Sequence, residues 1–344
     1  MIALDMVTSN IWKKTLKPIT ILAPMEEVTD TVFRRVIAEC GRPSMFFTEF
    51  TSVDGLCSVG REKVIHRLQF APQEQPVIAQ IWGKNVAHYE EVAKLCVEMG
   101  FSGIDLNMGC PDKSVIKNGC CSALIKNPPM TAEIIQATKQ GAAGKIPVSV
   151  KTRIGFQSIN TEDWIGFLLE QNIDALTIHG RTVKDLSNVP NRWEEIGKAV
   201  QLRNKLQPVE ATRTPIIGNG DVLGLQQGQD LVDQYGIDGF MIGRGVFKNP
   251  WIFNPDIIRN DEGELVNIQT GYILGKNDRL KVLARHLDLW IETWGDRKNA
   301  AIMKKFYKMY VQDFPGAAHL RAELMENLSL AEAVERIQWE LEGA

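Results

Sequence analysis

The chain has 344 residues, of which 44% are hydrophobic and 24% charged, and its net charge is −3. These values are typical of globular enzymes, and they exclude disordered, collagenous and coiled-coil classes as well as a general polyanion binder. The apolar runs are too short to cross a bilayer, and residues 1–14 lack the continuous apolar core of a secretory signal. Six cysteines in a chain of this size do not suggest a disulfide scaffold, so we expect a reduced, cytoplasmic protein.

Short apolar segments alternate with amphipathic segments over roughly the first 250 residues, which is the pattern of parallel β/α units. The helical period is clear in residues 32–40 and 86–97, and Asn85 and Thr161 are predicted helix N-caps. Eight such units match a (β/α)8 barrel in number and size. The predicted strands are residues 19–23, 45–48, 77–81, 104–106, 148–150, 175–178, 216–217 and 240–242.

An open, doubly wound sheet would show the same alternation, so the positions of the polar residues have to distinguish the two folds. In a barrel the strand ends meet at one mouth, where such enzymes place their chemistry, whereas an open sheet spreads them along an edge. Because nearly every predicted strand ends in polar or conformationally special residues, we predict an α/β fold with a TIM barrel. These residues are Pro24 and Met25, Glu49, Gln80, Asn107, Lys151 and Arg153, His179, Asn219, and Gly243 and Arg244.

The pattern changes after Trp251. Residues 257–276 are polar without a sustained apolar period and are predicted to be a linker, and helical stripes without strands follow them. We therefore predict a barrel domain over residues 1–255, a linker over 256–276 and a small all-helical domain over 277–344. No additional apolar helix face calls for a partner subunit, so we expect a monomer.

Two glycine-containing loops follow the seventh and eighth predicted strands, namely Asn219-Gly220-Asp221 and Gly243-Arg244-Gly245. Glycine lets backbone N–H groups approach an anion, and these loops are the recurrent phosphate-binding place of barrel enzymes. The alternative is two tight turns with a solvated arginine. The combination of sequence and position favours phosphate binding.

Three further side chains at the mouth have more than one interpretation. Lys151 could form a Schiff base with a carbonyl substrate, balance the charge of a reduced cofactor or form a salt bridge. His179 could serve catalysis or structure, and Gln80 could bind the polar edge of a heterocycle or a loop backbone.

Cys110 lies on a glycine-containing loop just past the fourth predicted strand. Its thiol would face the mouth, unlike the cysteines on apolar helix stripes. A nucleophile would need a histidine base, which the neighbouring sequence does not supply, whereas a general acid needs only a proton and proximity. An inert loop thiol is the alternative. Cys120 and Cys121 nearby do not have the spacing of a metal site, so we predict no metal.

Basic residues are concentrated in part of the helical tail. Residues 279–321 hold nine basic and four acidic side chains, and residues 322–344 reverse the balance. A solvated helix face is the ordinary explanation, but segregated charge beside an enzyme mouth favours a polyanionic substrate. A helical projection places four cations on one face: Arg297, Lys304, Lys305 and Lys308.

The segments at the predicted strand ends, together with part of the tail, resemble the bacterial tRNA-dihydrouridine synthases, which are flavoenzymes that reduce specific uridines of tRNA. The resemblance covers nearly the whole barrel and extends into the tail at residues 314–317 and 320–321, where the sequence is similar to the family's RNA-binding domain. The matching segments, in family order, are residues 23–26, 79–81, 105–111, 148–155, 179–182, 218–221 and 241–245.

The resemblance implies that reduced FMN passes hydride to C6 of uracil and that NADPH, or NADH, reduces the flavin. Cys110 would then donate a proton to C5, Asn107 and Arg153 would position the base, and the four basic tail residues would bind the tRNA. The uridine would have to leave the tRNA stack, which requires an extended docking surface. The implied FMN contacts are Pro24, Met25, Glu26, Gln80, Lys151, His179, Asn219, Gly220, Asp221, Gly243 and Arg244.

Three places depart from the family pattern. Glu27 and the pair Cys120 and Cys121 stand where glycine is common, and Asp185 replaces a frequent glutamine. Glu27 affects the loop after the first strand, and Cys120 and Cys121 affect the Cys110 loop. Asp185 affects a position where the family pattern implies an RNA contact. None of them is the predicted acid or part of a phosphate loop.

Two other functions are compatible with the sequence. An FMN barrel that reduces a small molecule, similar to dihydroorotate dehydrogenases or ene-reductases, would share the cofactor site but have no use for the basic tail. A tRNA-binding or chaperone-like protein would use the tail without catalysis. The sequence does not identify which uridine would be reduced.

Overall fold

The computed structural model describes residues 10–326 and 329–343, and the chain groups into two compact units. Residues 1–9, 327, 328 and 344 belong to the predicted barrel and helical domains but lie outside the described residues, as do the first nine residues of the segment assessed for a secretory signal. The first unit comprises Met1–Thr29, Pro43–Val222 and Gln226–Gly243, and the second comprises Asp30–Arg42, Leu223–Leu225 and Arg244–Ala344.

The first unit is built on a closed barrel of parallel strands, as predicted. Pairing of Phe46 with Val77 joins β2 to β4 and closes the ring, while the short β3 pairs with the end of β4. All eight predicted strands are present. The strands are β1 Ile19–Leu22, β2 Met45–Phe47, β3 Thr51–Ser52, β4 Val77–Trp82, β5 Gly103–Met108, β6 Val148–Arg153, β7 Leu176–His179, β8 Ile216–Asn219 and β9 Gly239–Ile242.

Helices connect these strands. Asn85 caps α4 through a bond from the Ala87 N–H, 3.0 Å, as predicted. The prediction that Thr161 is an N-cap is wrong, because Thr161 is already helical and its hydroxyl donates to Glu195 instead. The helices are α1 Ile11–Lys14, α2 Thr31–Cys40, α3 Val53–Leu56, α4 Val86–Glu98, α5 Lys113–Lys117, α6 Pro128–Ala142, α7 Thr161–Glu170, α8 Trp193–Leu206 and α9 Leu225–Tyr235.

Apolar side chains fill the amino-terminal half of the barrel. Ile19 and Met45, at the beginnings of β1 and β2, belong to one buried cluster with Ala175. Trp12 on α1 joins this cluster, is 1% exposed, and packs edge-on against Phe47 with ring centroids 6.2 Å apart. Its indole therefore closes the end of the barrel opposite the mouth, a role that the short α1 gives no sequence pattern to predict.

We expect Trp12→Ala to lower the free energy of unfolding by about 3–5 kcal/mol, because the truncation leaves a cavity that the surrounding strands cannot fill. Urea unfolding followed by circular dichroism measures this loss. Leu16→Ala serves as a control, since Leu16 is 88% exposed and its truncation should change the value by less than about 0.5 kcal/mol. Equal effects of the two substitutions would contradict the sealing role of Trp12.

The second unit joins α2 to the helices of the tail. Asp30, at the N-cap of α2, accepts hydrogen bonds from Trp294 Nε1 at 2.9 Å and Lys298 Nζ at 2.8 Å, and Arg285 pairs with Glu39. The three tail helices predicted from sequence are present within the described residues as α10 Lys276–Thr293, α11 Lys304–Tyr310 and α13 Leu330–Glu342. A further helix, α12 Ala317–Met325, was not predicted.

The segment predicted to be a linker contains a small antiparallel sheet. Its strands are β10 Ile257–Arg259, β11 Leu265–Asn267 and β12 Ile273–Leu274. Leu265 is buried, whereas Ile258 and Ile273 are about half exposed. Strands of two or three residues with one buried side chain carry no apolar period, which is why the sequence pattern did not show them.

Candidate active site at the barrel mouth

The inner wall of the barrel becomes polar towards the carboxyl ends of the strands. Residues two apart on a strand share a face, so the inner face of β4 passes from Ile78 to Gln80 and that of β8 from Ile217 to Asn219. The strand register aligns Asn107 with Lys151. We call this region the polar wall. Its members are Gln80, Asp105, Asn107, Ser149, Lys151, Thr177, His179 and Asn219.

A chain of side-chain hydrogen bonds crosses three strands of the polar wall. Ser149 Oγ donates to Asp105 Oδ1 at 2.7 Å, and Gln80 Nε2 donates to Asp105 Oδ2 at 2.8 Å. Asn107 Nδ2 in turn donates to Gln80 Oε1 at 3.1 Å. All four side chains are buried. We call this set the buried relay, and its orientation is fixed because each amide has a defined partner at both ends.

Lys151 is a cation of the polar wall. Its ammonium group makes no hydrogen bond or ion pair with any residue in the described part of the chain, so the salt-bridge interpretation is not supported. Burial, assisted by Arg153, lowers the pKa of Lys151 to about 8, although Asp105 opposes this shift. Burial likewise raises the pKa of Asp105 to about 6, against the hydrogen bonds it accepts. At neutral pH the ammonium group is therefore mostly charged and open to an anionic ligand.

The loop that carries Cys110 is held from three sides. Asn107 Oδ1 accepts hydrogen bonds from the backbone N–H groups of Gly109 and Cys110 at 3.1 and 3.0 Å. Arg153 Nε donates to the Gly109 carbonyl at 2.8 Å, and Ser122 Oγ donates to the Cys110 carbonyl at 2.7 Å. The buried relay thus ends on the backbone of the predicted acid.

Arg153 also reaches the loop after β7. Its Nη1 donates to the carbonyls of Thr182 at 3.0 Å and Leu186 at 2.8 Å. Burial lowers its pKa to about 10, with Cys110 opposing that shift. Because these donors are committed to backbone carbonyls, the structure supports loop positioning by Arg153, and its contact with a bound base stays a prediction.

The Cys110 thiol is partly exposed and chemically distinct from the other thiols. A hydrogen bond with Cys121 lowers the pKa of Cys110 to about 7, assisted by Arg153 and against the effect of burial. The same bond, together with burial, raises the pKa of Cys121 well above its ordinary range. Burial raises the pKa of each of the other four cysteines. Cys110 is therefore the thiol that ionises most readily.

The loop after β8 has a backbone that only glycine fits at one position. Gly220 has φ of 126°, and a Cβ there would lie 2.1 Å from Asn191 Oδ1. Asn219 Nδ2 donates to the Met241 carbonyl at 3.0 Å, and Asp221 is engaged by Arg181 through both guanidinium nitrogens. The Asp221 carboxylate is therefore held by Arg181.

The end of β9 is open at Gly243, where a Cβ would meet only Ala23 Cβ at 3.6 Å and Met25 Sδ at 4.0 Å. Arg244 begins a short 3-10 helix, Arg244–Phe247, and is exposed. Pro24, Met25 and Glu26 are partly exposed in the loop after β1.

His179 lies at the end of β7 beside Arg181, whose Nη1 is 3.1 Å from His179 Nε2. Arginine can only donate, so Nε2 is the accepting nitrogen of the ring. Arg181 thereby links His179 to Asp221, and its Nε donates to the Val189 carbonyl. The loops after β7 and β8 are tied together by this one guanidinium group.

Among residues 10–326 and 329–343, no group of three or more His, Cys, Asp or Glu side chains is arranged to hold a metal ion. In the same ranges, no helix is both long and apolar enough to span a membrane.

Comparison with known proteins identifies the family. The family profile described as "Dihydrouridine synthase (Dus)" matches residues 21–342. A protein of Staphylococcus aureus (strain COL) named "Probable tRNA-dihydrouridine synthase" is 42% identical over 327 residues, covering 94% of this chain and 93% of that protein. "Probable tRNA-dihydrouridine synthase 2" of Bacillus subtilis (strain 168) is 39% identical over 95% of each chain. This chain belongs to the dihydrouridine synthase family.

Solved structures with low sequence identity share the fold. A 2-naphthoyl-CoA reductase complex has a TM-score of 0.52 and 11% identity, and the match covers 68% of this chain and 49% of that one. A histamine dehydrogenase from Rhizobium sp. 4-9 has a TM-score of 0.55 and 11% identity, covering 94% and 62%. Both proteins are longer than this chain, and the likeness concerns the TIM-barrel fold alone.

Two departures from the synthase family pattern lie where the backbone is left-handed. Glu27 has φ of 53° and Cys121 has φ of 51°, conformations in which glycine is favoured. The Glu27 N–H donates to Glu49 Oε1 at 2.6 Å. The third departure, Asp185, accepts hydrogen bonds from the Thr182 N–H and from Arg192, and these partners lower its pKa to about 2 against the effect of burial.

The four cations predicted to bind RNA do not lie on one continuous helix. Arg297 belongs to a separate 3-10 turn and stacks over Trp294, whereas α11 begins at Lys304. The projection over residues 297–308 was therefore wrong, because 3-10 turns interrupt the predicted helix. Lys304 donates to the Met325 carbonyl, and Lys305 and Lys308 are exposed. Binding of RNA by these residues stays a prediction.

Sequence reasoning missed several members of the site. Asp105 and Ser149 were not proposed as site residues, although each lies two positions before a predicted one, Asn107 and Lys151, on the same strand face. That alternation was a usable signal. Arg181 lies in the matching segment 179–182, but its contact with Asp221 had no sequence signal, and neither had the pairing of Cys121 with Cys110, because both depend on contacts between separate loops.

We expect alkylation of Cys110 by iodoacetamide to rise through pH 7 and level off above about pH 8. The thiolate is the reactive form, and the pKa of this thiol is about 7, so deprotonation is nearly complete one unit higher. Peptide mass spectrometry after short labelling at each pH measures the profile. Cys40 and Cys96, whose pKa is raised to about 12, provide internal controls that should remain unlabelled throughout. A Cys110 midpoint near 9 would contradict the assigned environment.

Proposed function

We propose that this protein reduces uridines of tRNA to 5,6-dihydrouridine, with FMN as cofactor and NADPH or NADH as reductant. The observation that carries the proposal is the partly exposed Cys110 thiol at the mouth of a barrel whose polar wall holds a cation. The ammonium group of this cation, Lys151, has no hydrogen bond or ion pair among the described residues. Membership of the dihydrouridine synthase family supports the same reaction. The names of the curated relatives support tRNA as substrate.

The residues at the mouth suit FMN by their chemistry. The Lys151 ammonium would balance the negative charge of the reduced isoalloxazine, and Gln80 and Asn107 offer amide groups for a heterocycle. The Thr177 hydroxyl is buried and makes no hydrogen bond within the described chain. The phosphate would be held by backbone N–H groups of the loops that contain Gly220 and Gly243. Gly243 leaves open space where a side chain would stand, whereas Asn191 fills that space at Gly220.

The remaining predicted contacts fill the rim of this site. Pro24, Met25 and Glu26 come from the loop after β1, and Glu26 forms an ion pair with Arg67. His179 and Asp221, which both contact Arg181, would orient the loops after β7 and β8, and Asn219 is held by its bond to the Met241 carbonyl. Arg244 would add charge to the phosphate site.

When bound and reduced, FMN supplies the hydride that is added to C6 of uracil. Cys110 Sγ gives its proton to C5, and the thiolate formed is reprotonated from solvent. A general acid acts best when its pKa lies near the working pH, and the value of about 7 for Cys110 meets this condition. Asn107 and Arg153 hold the loop backbone so that the thiol keeps its position.

The basic tail distinguishes the proposed tRNA enzyme from a reductase of small molecules, because such a reductase would have no use for a tRNA-binding surface. Because α2 packs on α10 within the second unit, deleting residues 279–344 would expose the buried face of α2 and damage the fold. Point substitutions are therefore the better test. Lys305 and Lys308 are the exposed cations of α11, and phosphate groups of a tRNA are the partner that such a pair would favour.

We expect Cys110→Ala to lower the rate of dihydrouridine formation by about 10²–10⁴-fold, because the variant lacks the proton donor. Flavin binding and tRNA binding should be retained. The rate is measured in a single turnover with pre-reduced enzyme, and the flavin content by its absorbance. Cys57→Ala is the control, since Cys57 lies on another loop and should leave the rate unchanged. An unchanged rate in Cys110→Ala would remove Cys110 from the mechanism.

The double variant Lys305→Ala/Lys308→Ala should bind tRNA about tenfold more weakly, with a smaller salt dependence of binding, because two phosphate contacts are lost. Filter binding at several salt concentrations measures both quantities. A charge-matched control is Lys94→Ala/Lys198→Ala, which removes two lysines that form ion pairs on barrel helices. Equal weakening by both double variants would show that net charge alone, rather than the α11 surface, governs binding.

A further inference from the structure

We propose that Cys110 and Cys121 are a thiol pair that hydroperoxides convert reversibly to a disulfide, which withdraws the proton donor from the active site. The formation of the bond is a property of the two thiols. Its consequence for catalysis depends on the proposed function of Cys110.

The chain path brings the two thiols together. After the Cys110 loop, α5 and a turn reverse the chain, and a 3-10 helix begins at Cys121. Ser122 Oγ donates to the Cys110 carbonyl at 2.7 Å, which fixes this helix against the loop. The side chains of Cys110 and Cys121 interact closely enough to shift each other's pKa, that of Cys110 downwards and that of Cys121 upwards. Both cysteines are free in the structure.

The neighbouring Cys120 is arranged differently. Its Sγ donates towards the Asn118 carbonyl, 3.7 Å away, so its thiol is occupied within its own turn. Two adjacent residues project their side chains in different directions, and here only the second meets Cys110. Cys120 therefore gives a matched control one position away.

The backbone at Cys121 shows that a side chain is held there at a cost. Its φ of 51° lies in the left-handed region, where glycine is favoured and cysteine is strained. A glycine would satisfy the turn without strain, whereas a cysteine brings a buried thiol to the predicted proton donor. Local strain of this kind is typical of functional positions.

The chemistry proceeds in two balanced steps. The Cys110 thiolate attacks one oxygen of hydrogen peroxide, the O–O bond breaks, and Cys110 sulfenic acid and hydroxide are formed. The sulfur of Cys121 then attacks the sulfur of Cys110, the S–O bond breaks, and water leaves with the proton of Cys121. Cys110 is suited to the first step because it is partly exposed and ionises readily, and Cys121 to the second because it is adjacent.

The disulfide would stop proton donation in a simple way. The sulfur atoms of a disulfide carry no hydrogen, so Cys110 could not donate a proton to C5 of a bound uracil. A small dithiol would reverse the change by thiol–disulfide exchange. In the absence of Cys121, the sulfenic acid has no neighbouring thiol and proceeds to sulfinic acid, which dithiols do not reduce.

The experiment treats the purified, flavin-loaded protein with hydrogen peroxide and compares each variant with its own reduced form. For the native protein we expect dihydrouridine formation to fall by about a hundredfold or more and to recover on addition of dithiothreitol. Mass spectrometry of a tryptic digest under non-reducing conditions should show peptide 95–113 linked to peptide 118–126, with fragment ions that place the bond at Cys110 and Cys121.

The variants identify the partner. Cys120→Ser should behave like the native protein, whereas Cys121→Ser and Cys121→Gly should give no cross-linked peptide, a sulfinic acid at Cys110 and a loss that dithiothreitol does not reverse. Cys121→Gly suits the left-handed backbone and guards against misfolding of the serine variant. A recoverable loss in both Cys121 variants, or a cross-link that survives in them, would overturn the proposal. If the reduced native protein formed no dihydrouridine, the proposed function would fail while the cross-link remained a separate result.

Discussion

The amide of Asn107 is the element on which the site depends. Its nitrogen belongs to the buried relay through Gln80, and its oxygen holds two backbone N–H groups of the Cys110 loop. Because both the nitrogen and the oxygen of this buried amide are hydrogen-bonded, the amide has one orientation. The barrel wall therefore determines where the Cys110 loop lies. Removing either partner would leave buried polar atoms unsatisfied, which costs about 1–3 kcal/mol each. The position of the thiol is thus a property of the barrel interior and not of the loop alone.

Charge at the mouth follows from the same burial. Lys151 and Asp105 lie on adjacent strands, and each has a pKa shifted towards neutrality by loss of solvent. Asp105 accepts hydrogen bonds from Ser149 and Gln80, and among the described residues no carboxylate forms an ion pair with Lys151, although the charge of Asp105 raises the lysine's pKa. A cation left in this state is ready for an anionic ligand. The barrel provides a charged and oriented interior before any ligand arrives, which lowers the reorganisation needed on binding.

Much of the fold could be predicted from the sequence because parallel barrels repeat a strong local signal. All eight strands, the cap at Asn85 and three of the tail helices follow from apolar period and capping chemistry. The small sheet in residues 256–276 could not be predicted, since its strands are too short to show a period. The four-cation face was wrong because 3-10 turns interrupted the helix on which it was drawn.

The site residues also fall into those that could be predicted from the sequence and those that could not. Residues at strand ends were placed correctly at the mouth because the fold itself brings them together, as with Gln80, Lys151 and Asn219. Contacts between loops, such as Arg181 with Asp221 or Cys121 with Cys110, depend on how separate turns meet. No local pattern encodes that meeting. The resemblance to a family supplied roles for residues, but it did not supply these contacts.

The second unit is discontinuous, and this has a consequence for synthesis on the ribosome. Helix α2 is complete at Cys40, but its partner α10 begins only at Lys276. At about 5–20 residues per second, the apolar face of α2 waits roughly ten to fifty seconds for that partner. During this interval Phe33 lacks the rings of His286 and Phe306 against which it packs in the folded protein. Part of the apolar surface of α2 therefore stays uncovered in the nascent chain until the tail has been synthesised.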